Sequence, residues 1–299
     1  MQGVIAAVAT PVDRDGRLNV KTFERLIDML IGSGVDGVCL GGATSEYPNT
    51  ADADRRAAIE AAAPRVPRDR TLLVAIGAPS LRQVDDLGRC AQSAGCRAVL
   101  VPMPMFFRYE QHDLQAFSIE VSRALAAPVL LYDLPDFTNG LQPETVVTLL
   151  NQERFIVGIK DSSGVTEHLS AYASARGPGD WTLLVGHDQL LFDGLQAGWN
   201  GTVSGIACFC PELPLAIHRS SARGHIDRGR MLQALLDEVV VQLGALPAPW
   251  GIRIALDVRG FDMGPLPLPL SDVRRQQIER YRAWLPGWME KVRVGLESA

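Results

Sequence analysis

One lysine lies within a segment that otherwise has the composition of a buried strand, FIVGIKDSSG at residues 155–164. Because side chains alternate along a strand, Lys160 is expected to share a face with Ile156 and Gly158, opposite Val157. The glycine would leave space beside the amine. Burial favours the neutral form of a lysine, and a neutral amine can attack the carbon of a ketone or aldehyde. The resulting imine withdraws electrons, so that a neighbouring C–C or C–O bond can be formed or broken.

A purely structural explanation of the same lysine is an ion pair with Asp133 or Asp161. Tyr132 ends the preceding predicted strand on its inward face. It is either a proton relay to a bound carbonyl oxygen or a core tyrosine whose hydroxyl bonds to the backbone. The lysine on the neighbouring strand favours the relay.

Loops after other predicted strands carry groups suited to a small anionic substrate. GGAT at 41–44 is a glycine-rich turn whose backbone N–H groups can hold an anion. Beside an imine-forming lysine, this turn suggests the carboxylate of a 2-oxo acid. Asp188 follows the seventh predicted strand, where it either contacts the substrate or caps the next helix.

Apolar strands alternate with amphipathic helices, which indicates a parallel sheet covered by helices. Eight such units predict an α/β protein with a closed (β/α)8 TIM barrel, whose functional groups gather at the C-terminal strand ends. A doubly wound open sheet is the alternative, weakened because no G-x-G-x-x-G follows the first strand. The predicted strands are 4–12, 37–42, 71–77, 98–103, 128–135, 155–163, 181–188 and 201–207.

The predicted helices divide the chain into a barrel and an extension. Residues 1–224 are expected to form the barrel, and 225–299 a C-terminal helical extension packed on it. Within the extension, GPLPLPL at 264–270 reads as an extended linker. The predicted barrel helices are 19–34, 52–63, 81–94, 112–125, 143–150, 165–176, 190–197 and one that begins near Pro211.

Composition excludes several classes of function. The net charge is −5, and no stripe of lysine and arginine with aromatic residues suggests a nucleic-acid partner. No apolar run reaches the length of a membrane span. The five cysteines form no Cys-x-x-Cys pair, which favours reduced thiols in a cytoplasmic protein, and the histidines form no His-Glu-x-x-His metal motif.

Three spaced motifs, GATSE at 42–46, YDLP at 132–135 and GIKD at 158–161, resemble those of the dihydrodipicolinate synthase / N-acetylneuraminate lyase superfamily. The resemblance covers most of the chain, from ATPV near the start to GPLPLPLS before the last helix. Members of this superfamily are class I, pyruvate-handling lyases on a (β/α)8 barrel. The resemblance therefore implies this barrel, additional C-terminal helices and usually a homotetramer.

The resemblance also implies roles for individual residues. Lys160 forms the imine and Tyr132 relays protons. The turn after the second strand holds the substrate carboxylate, and the loop at 186–189 resembles the segment that binds substrate hydroxyls in the sugar-acid lyases. The predicted substrate-binding residues are Gly42, Ala43, Thr44, Gly186, Asp188 and Val203.

Three stretches depart from the superfamily's pattern. Ala43 replaces the first of two consecutive hydroxyl residues, which the synthases use in a proton relay. PMFF at 104–107 lacks the tyrosine that in synthases reaches into the neighbouring subunit. DFT at 136–138 lacks the arginine that would bind the carboxylate of aspartate semialdehyde. All three departures weigh against lysine biosynthesis.

We therefore predict a Schiff-base-forming class I lyase or aldolase that acts on a 2-oxo acid, with pyruvate and an aldehyde as products, of the 2-keto-3-deoxy sugar acid type. The alternatives are dihydrodipicolinate synthase, a sugar-acid dehydratase of the same mechanism, and a keto-acid-binding protein without turnover. No metal or organic cofactor is expected, because the lysine imine itself accepts the electrons. A homo-oligomer, either tetramer or dimer, is expected.

Overall fold

Eight parallel strands close into a barrel in the computed structural model, which describes residues 1–176 and 180–297. Each strand pairs with its neighbours in sequence, and the first closes the ring by pairing with the last. The predicted (β/α)8 barrel is confirmed and the open sheet is excluded. The strands are β1 (Gly3–Ala7), β2 (Gly37–Leu40), β3 (Thr71–Ala75), β4 (Ala98–Pro102), β5 (Val129–Asp133), β6 (Ile156–Asp161), β7 (Thr182–Val185) and β8 (Gly201–Ser204).

Helices follow every strand, and three more follow the barrel. No helix in the described part of the chain combines the length and apolar character that crossing a bilayer requires. The barrel helices are α1 (Val20–Gly32), α2 (Asp52–Ala62), α3 (Leu81–Ser93), α4 (Gln111–Leu125), α5 (Pro143–Gln152), α6 (Thr166–Arg176), α7 (Leu191–Gln196) and α8 (Glu212–Ala222). The C-terminal helices are α9 (Ile226–Gly244), α10 (Trp250–Val258) and α11 (Asp272–Glu297).

The C-terminal helices pack against the barrel helices and one another. Helix α9 lies on α8, and α11 contacts both α9 and α10. The division at residue 224 between barrel and extension stays a prediction, and 298–299 of the predicted extension lie outside the described residues.

Strand side chains form two apolar layers, one inside the barrel and one between the strands and the helices. The inner layer is small, and the outer one holds most of the core. This division follows from the period-two alternation of side chains along a strand. The inner layer consists of Ile5, Ala7, Cys39, Leu73, Ala75, Ala98, Leu100, Leu130, Tyr132, Leu134, Leu184 and Val203.

The alternation breaks at the start of β6. Val129 pairs with Ile156 but Leu130 pairs with Gly158, so Val157 is an extra residue in β6. As a result Ile156 packs in the outer layer and Val157 against the inner one. The expectation that Ile156 shares the face of the lysine is therefore wrong. The glycine does share that face, because the regular alternation resumes there.

A charged cluster lies behind the inner layer, on the outward faces of β5 and β6. His168 Nδ1 lies 2.9 Å from Asp161 Oδ2, and the Leu141 amide donates to Asp133 Oδ1 over 3.0 Å. Burial raises the pKa of Asp133 to about 6, and the nearby Asp161 adds to the rise while the Leu141 hydrogen bond opposes it. The hydrogen bond to Asp161 raises the pKa of His168.

A buried ion pair joins the loop after β2 to the C-terminal helices. Arg253 in α10 donates from Nη1 to Glu46 Oε2 over 2.6 Å. Its Nη2 donates to the carbonyls of Met263 and Pro265 over 2.7 and 2.9 Å. Glu46 adopts a left-handed backbone conformation, with a φ of 52°. The pair thus fixes both the loop and the linker that follows α10.

Asp133→Asn should stabilise the protein near neutral pH, because asparagine keeps the oxygen that accepts from Leu141 and carries no charge. The folded state binds the Asp133 proton more tightly than the unfolded chain, since the pKa rises from 3.8 to about 6. The wild-type protein therefore loses stability as pH rises through that window, by about 3 kcal/mol at most. Urea unfolding should show no difference at about pH 4 and a more stable variant at about pH 7.5. A difference that is equal at both pH values would contradict this origin.

Arg253→Met should lower the free energy of unfolding by about 3–5 kcal/mol, because Glu46 would stay buried without its partner. Arg293→Met is the matched control: Arg293 pairs with Glu290 and Glu297 on the exposed face of α11, and its loss should cost under about 1 kcal/mol. Equal losses of unfolding free energy in the two variants would show that the buried Glu46–Arg253 pair contributes no more to stability than an exposed pair.

Candidate active site

Lys160 and Tyr132 lie side by side at the C-terminal ends of β6 and β5, where they pair directly in the barrel register. The lysine is 4% exposed and the tyrosine 2%. Lys160 Nζ donates to Tyr132 Oη over 3.0 Å and lies 4.1 Å from the centre of the ring. The two predicted catalytic side chains therefore form one hydrogen-bonded pair inside the barrel.

The lysine amine has no carboxylate partner. Within residues 1–176 and 180–297, no carboxylate oxygen lies within 4.0 Å of Lys160 Nζ. Asp133 directly follows Tyr132, and Asp161 directly follows Lys160. Because side chains alternate along a strand, both carboxylates point outward and belong to the charged cluster. The ion-pair explanation of the lysine is therefore wrong.

Gly186, directly after β7, provides space for the lysine side chain. A Cβ atom at this position would lie 2.1 Å from Ser162 Oγ and 2.8 Å from Lys160 Cε. Both distances are far below van der Waals contact, so any larger residue would displace the amine. The structure thus gives Gly186 a packing role, and its predicted contact with substrate stays a prediction.

The turn after β2 is held rigidly against β1. Ala43–Ser45 form a single 3-10 turn that begins after Gly42. Ser45 Oγ donates to the Val8 carbonyl over 2.6 Å and accepts from the Gly41 amide over 2.9 Å. The first amides of such a turn have no carbonyl partner within it, which leaves them available to an anion.

The predicted binding residues converge on the barrel interior. Ala43 packs against the inner apolar layer, and Val203 is a member of that layer. Thr44 Oγ1 and Asp188 Oδ2 would each lie 3.6 Å from a Cβ atom on Gly205, so the turn after β2 and the loop after β7 meet beside Gly205. The structure therefore brings the sequence-predicted groups to one end of the barrel.

Asp188 is fixed by backbone amides after β8 and does not cap the helix that follows it in the chain. Its Oδ2 accepts from the amides of Gly205 and Ile206 over 3.1 and 3.3 Å. Its Oδ1 is buried and has no hydrogen-bond partner among the described residues. Burial raises the pKa of this carboxyl, while its hydrogen bonds and the nearby Lys160 amine oppose the rise. The helix-cap alternative is wrong, because the amides bound belong to the loop after β8.

Tyr47 belongs to the same region and was not among the predicted site residues. It follows GATSE directly and is 5% exposed. The Arg55 guanidinium lies 5.5 Å from the centre of its ring. Burial raises the pKa of Tyr47 to about 12; proximity to Tyr132 adds to the rise and Arg55 opposes it. The sequence offered no periodic signal for this residue, because it lies in an irregular loop.

One group of described residues has the donor atoms of a metal site. Candidate ligand atoms of Asp133, Asp161 and His168 lie within 4.8 Å of one another. His168 and Asp161 already bond to each other, which accounts for two of the three groups without an ion. The expected absence of a metal stays a prediction.

The chain is similar in sequence to known proteins along most of its length. The chain is 31% identical over 251 residues to the probable 2-dehydro-3-deoxy-D-pentonate aldolase YjhH of Escherichia coli K12, covering 82% of this chain and 81% of that protein. It is also 31% identical over 279 residues to 4-hydroxy-tetrahydrodipicolinate synthase 1 of Streptomyces coelicolor, covering 91% and 89% of the two chains.

The fold matches a solved structure of the same group. YagE, a prophage protein of the dihydrodipicolinic acid synthase family from E. coli K12 in complex with pyruvate, superposes with a TM-score of 0.89 and 26% identity over 97% of this chain and 99% of that one. The model of the dihydrodipicolinate synthetase family matches residues 1–286. On these grounds the chain belongs to the dihydrodipicolinate synthetase family.

Proposed function

We propose that this protein is a class I lyase that cleaves a 2-keto-3-deoxy sugar acid to pyruvate and an aldehyde through an imine on Lys160. The observation that supports this most strongly is the buried amine itself, without a carboxylate partner and 3.0 Å from the Tyr132 hydroxyl. Imine formation needs an amine that is not held in an ion pair, so that it can reach the carbon of a ketone.

The proposed mechanism uses the pair in two proton transfers. The Lys160 amine attacks the C2 ketone, and Tyr132 gives its proton to the resulting hydroxyl, which leaves as water. The Tyr132 oxygen then takes the proton of the C4 hydroxyl as the C3–C4 bond breaks and the aldehyde departs. The bonding electrons move into the iminium to form an enamine. Protonation of C3 and hydrolysis of the imine release pyruvate and restore the amine.

The remaining predicted residues would bind the substrate on either side of this centre. We propose that the amides and hydroxyl of Gly42, Ala43 and Thr44 hold the C1 carboxylate, which the open amides of the 3-10 turn support. Val203 would line the wall. The Asp188 carboxylate would accept a hydrogen bond from a distal hydroxyl of the substrate.

The similarity to YjhH, a probable 2-dehydro-3-deoxy-D-pentonate aldolase, supports a sugar acid as the substrate. The synthase is the second candidate, because the S. coelicolor synthase is equally similar. Against it, the loop after β5 has an exposed phenylalanine, Phe137, in the stretch where the synthases place their carboxylate-binding arginine. A dehydratase of the same mechanism would use the same residues.

We also propose that the protein is a cytoplasmic homo-oligomer, a tetramer or a dimer. Five free cysteines support a reducing compartment. Exposed aromatic side chains at Phe106, Phe107 and Phe137 support association, since it would remove apolar surface from water.

Borohydride in the presence of pyruvate should trap one reduced pyruvate per chain on Lys160, as peptide mass spectrometry would show. Lys160→Met should abolish trapping and lower sugar-acid cleavage by about four orders of magnitude, because the nucleophile is lost. Lys291→Met is the control, since that exposed lysine pairs with Glu238. Trapping on a different lysine, or persistence of cleavage in Lys160→Met, would refute the proposal.

A panel of 2-keto-3-deoxy acids should include at least one that releases pyruvate with a kcat/KM about 10- to 100-fold above that for condensation of pyruvate with aspartate semialdehyde. The expected ratio corresponds to one missing charged hydrogen bond to the semialdehyde carboxylate. Faster turnover of the semialdehyde would establish the synthase, loss of water without pyruvate the dehydratase, and binding without turnover the keto-acid-binding protein.

A further inference from the structure

At two places where the synthases of the superfamily have a hydroxyl group, this chain has none. Ala43 contributes only a methyl group to the inner layer. Phe106 and Phe107 after β4 carry no hydroxyl and turn outward, with Phe106 89% exposed. An oxygen that gives up a proton inside a barrel needs a donor to stabilise its charge.

Packing brings the ring of Tyr47 to the strand next to Tyr132. A Cβ atom on Gly77 would lie 2.9 Å from Tyr47 Cε2, 3.1 Å from its Cζ and 2.4 Å from Pro102 Cγ. The hydroxyl end of the Tyr47 ring and the Pro102 ring therefore lie next to each other above Gly77. Pro102 pairs with Tyr132 in the register of β4 and β5. Tyr47 thus lies one strand away from the catalytic tyrosine.

Arg55 holds Tyr47 in this position. Its Nη1 donates to the Gly77 carbonyl over 2.8 Å and its Nη2 to the Ala75 carbonyl over 3.1 Å. The guanidinium so fixed packs on the Tyr47 ring. The ring is therefore clamped between a buried arginine and the ends of β3 and β4.

The Tyr47 hydroxyl is protonated and can donate a hydrogen bond. Burial is the main cause that raises its pKa to about 12, and the proximity of Tyr132 contributes. The Tyr47 hydroxyl consequently keeps its proton at neutral pH.

We propose that Tyr47 is a positioning residue whose hydroxyl donates a hydrogen bond to the Tyr132 oxygen while that oxygen lacks its proton. This inference rests on the proposed imine mechanism. The Tyr132 proton leaves with the C2 oxygen as water, and Tyr132 regains a proton from the C4 hydroxyl. Tyr47 keeps its own proton throughout, so the balance of the reaction is unchanged. The hydroxyl thereby takes the place of those missing at Ala43, Phe106 and Phe107.

Tyr47→Phe tests the proposal, because phenylalanine keeps the ring and removes only the hydroxyl. Its kcat for sugar-acid cleavage should fall by about 10- to 100-fold with KM changed less than about threefold. Incorporation of solvent deuterium into C3 of pyruvate, followed by proton NMR, should slow by a similar factor. Borohydride should still trap one pyruvate per chain at the end point, and the melting temperature should stay that of the wild type.

Tyr281→Phe is the matched control, a buried tyrosine of α11 whose hydroxyl has no hydrogen-bond partner among the described residues. It should keep the wild-type kcat and exchange rate. Wild-type rates in Tyr47→Phe would overturn the inference, as would a loss accompanied by a lower melting temperature and incomplete trapping, which would mark a structural role. If the wild-type protein itself traps no pyruvate, the proposed function fails first, and that outcome is recognisable without either variant.

Discussion

The chemistry of this barrel depends on keeping one amine out of water without giving it a counter-charge. A buried lysine is ordinarily stabilised by a carboxylate, which would hold it protonated and unreactive. Here Lys160 donates only to Tyr132 in the described structure, so the partner of its nitrogen is a hydroxyl and not a carboxylate. Gly186, directly after β7, leaves the space for its side chain.

Strand alternation separates this amine from the negative charges next to it in sequence. Asp133 and Asp161 directly follow Tyr132 and Lys160, yet both point outward, where they bind a backbone amide and His168. A shift of one residue in either strand would exchange the two sets and bring a carboxylate against the lysine. The irregular pairing at the start of β6 ends before Gly158, so the register at Lys160 and Tyr132 is preserved.

The sequence predicted the barrel and the pairing of Lys160 with Tyr132 because both depend on short-range periodicity. Apolar strands alternate with helices eight times, and neighbouring strand ends must meet in a closed parallel sheet. Ile156 was misplaced because a register shift depends on the partner strand. Asp188 was left ambiguous because the amides it binds lie seventeen and eighteen residues away. Tyr47 was missed because its position depends on space above Gly77, which only the folded chain reveals.

The Glu46–Arg253 ion pair couples the turn after β2 to the C-terminal helices. A loop exchange between relatives that moved the turn without its arginine would leave a carboxylate unpaired in the protein interior. Laboratory evolution of substrate range therefore has to vary α10 together with the loops at the mouth. The two segments, whose paired residues are 207 positions apart in the chain, have to be exchanged together.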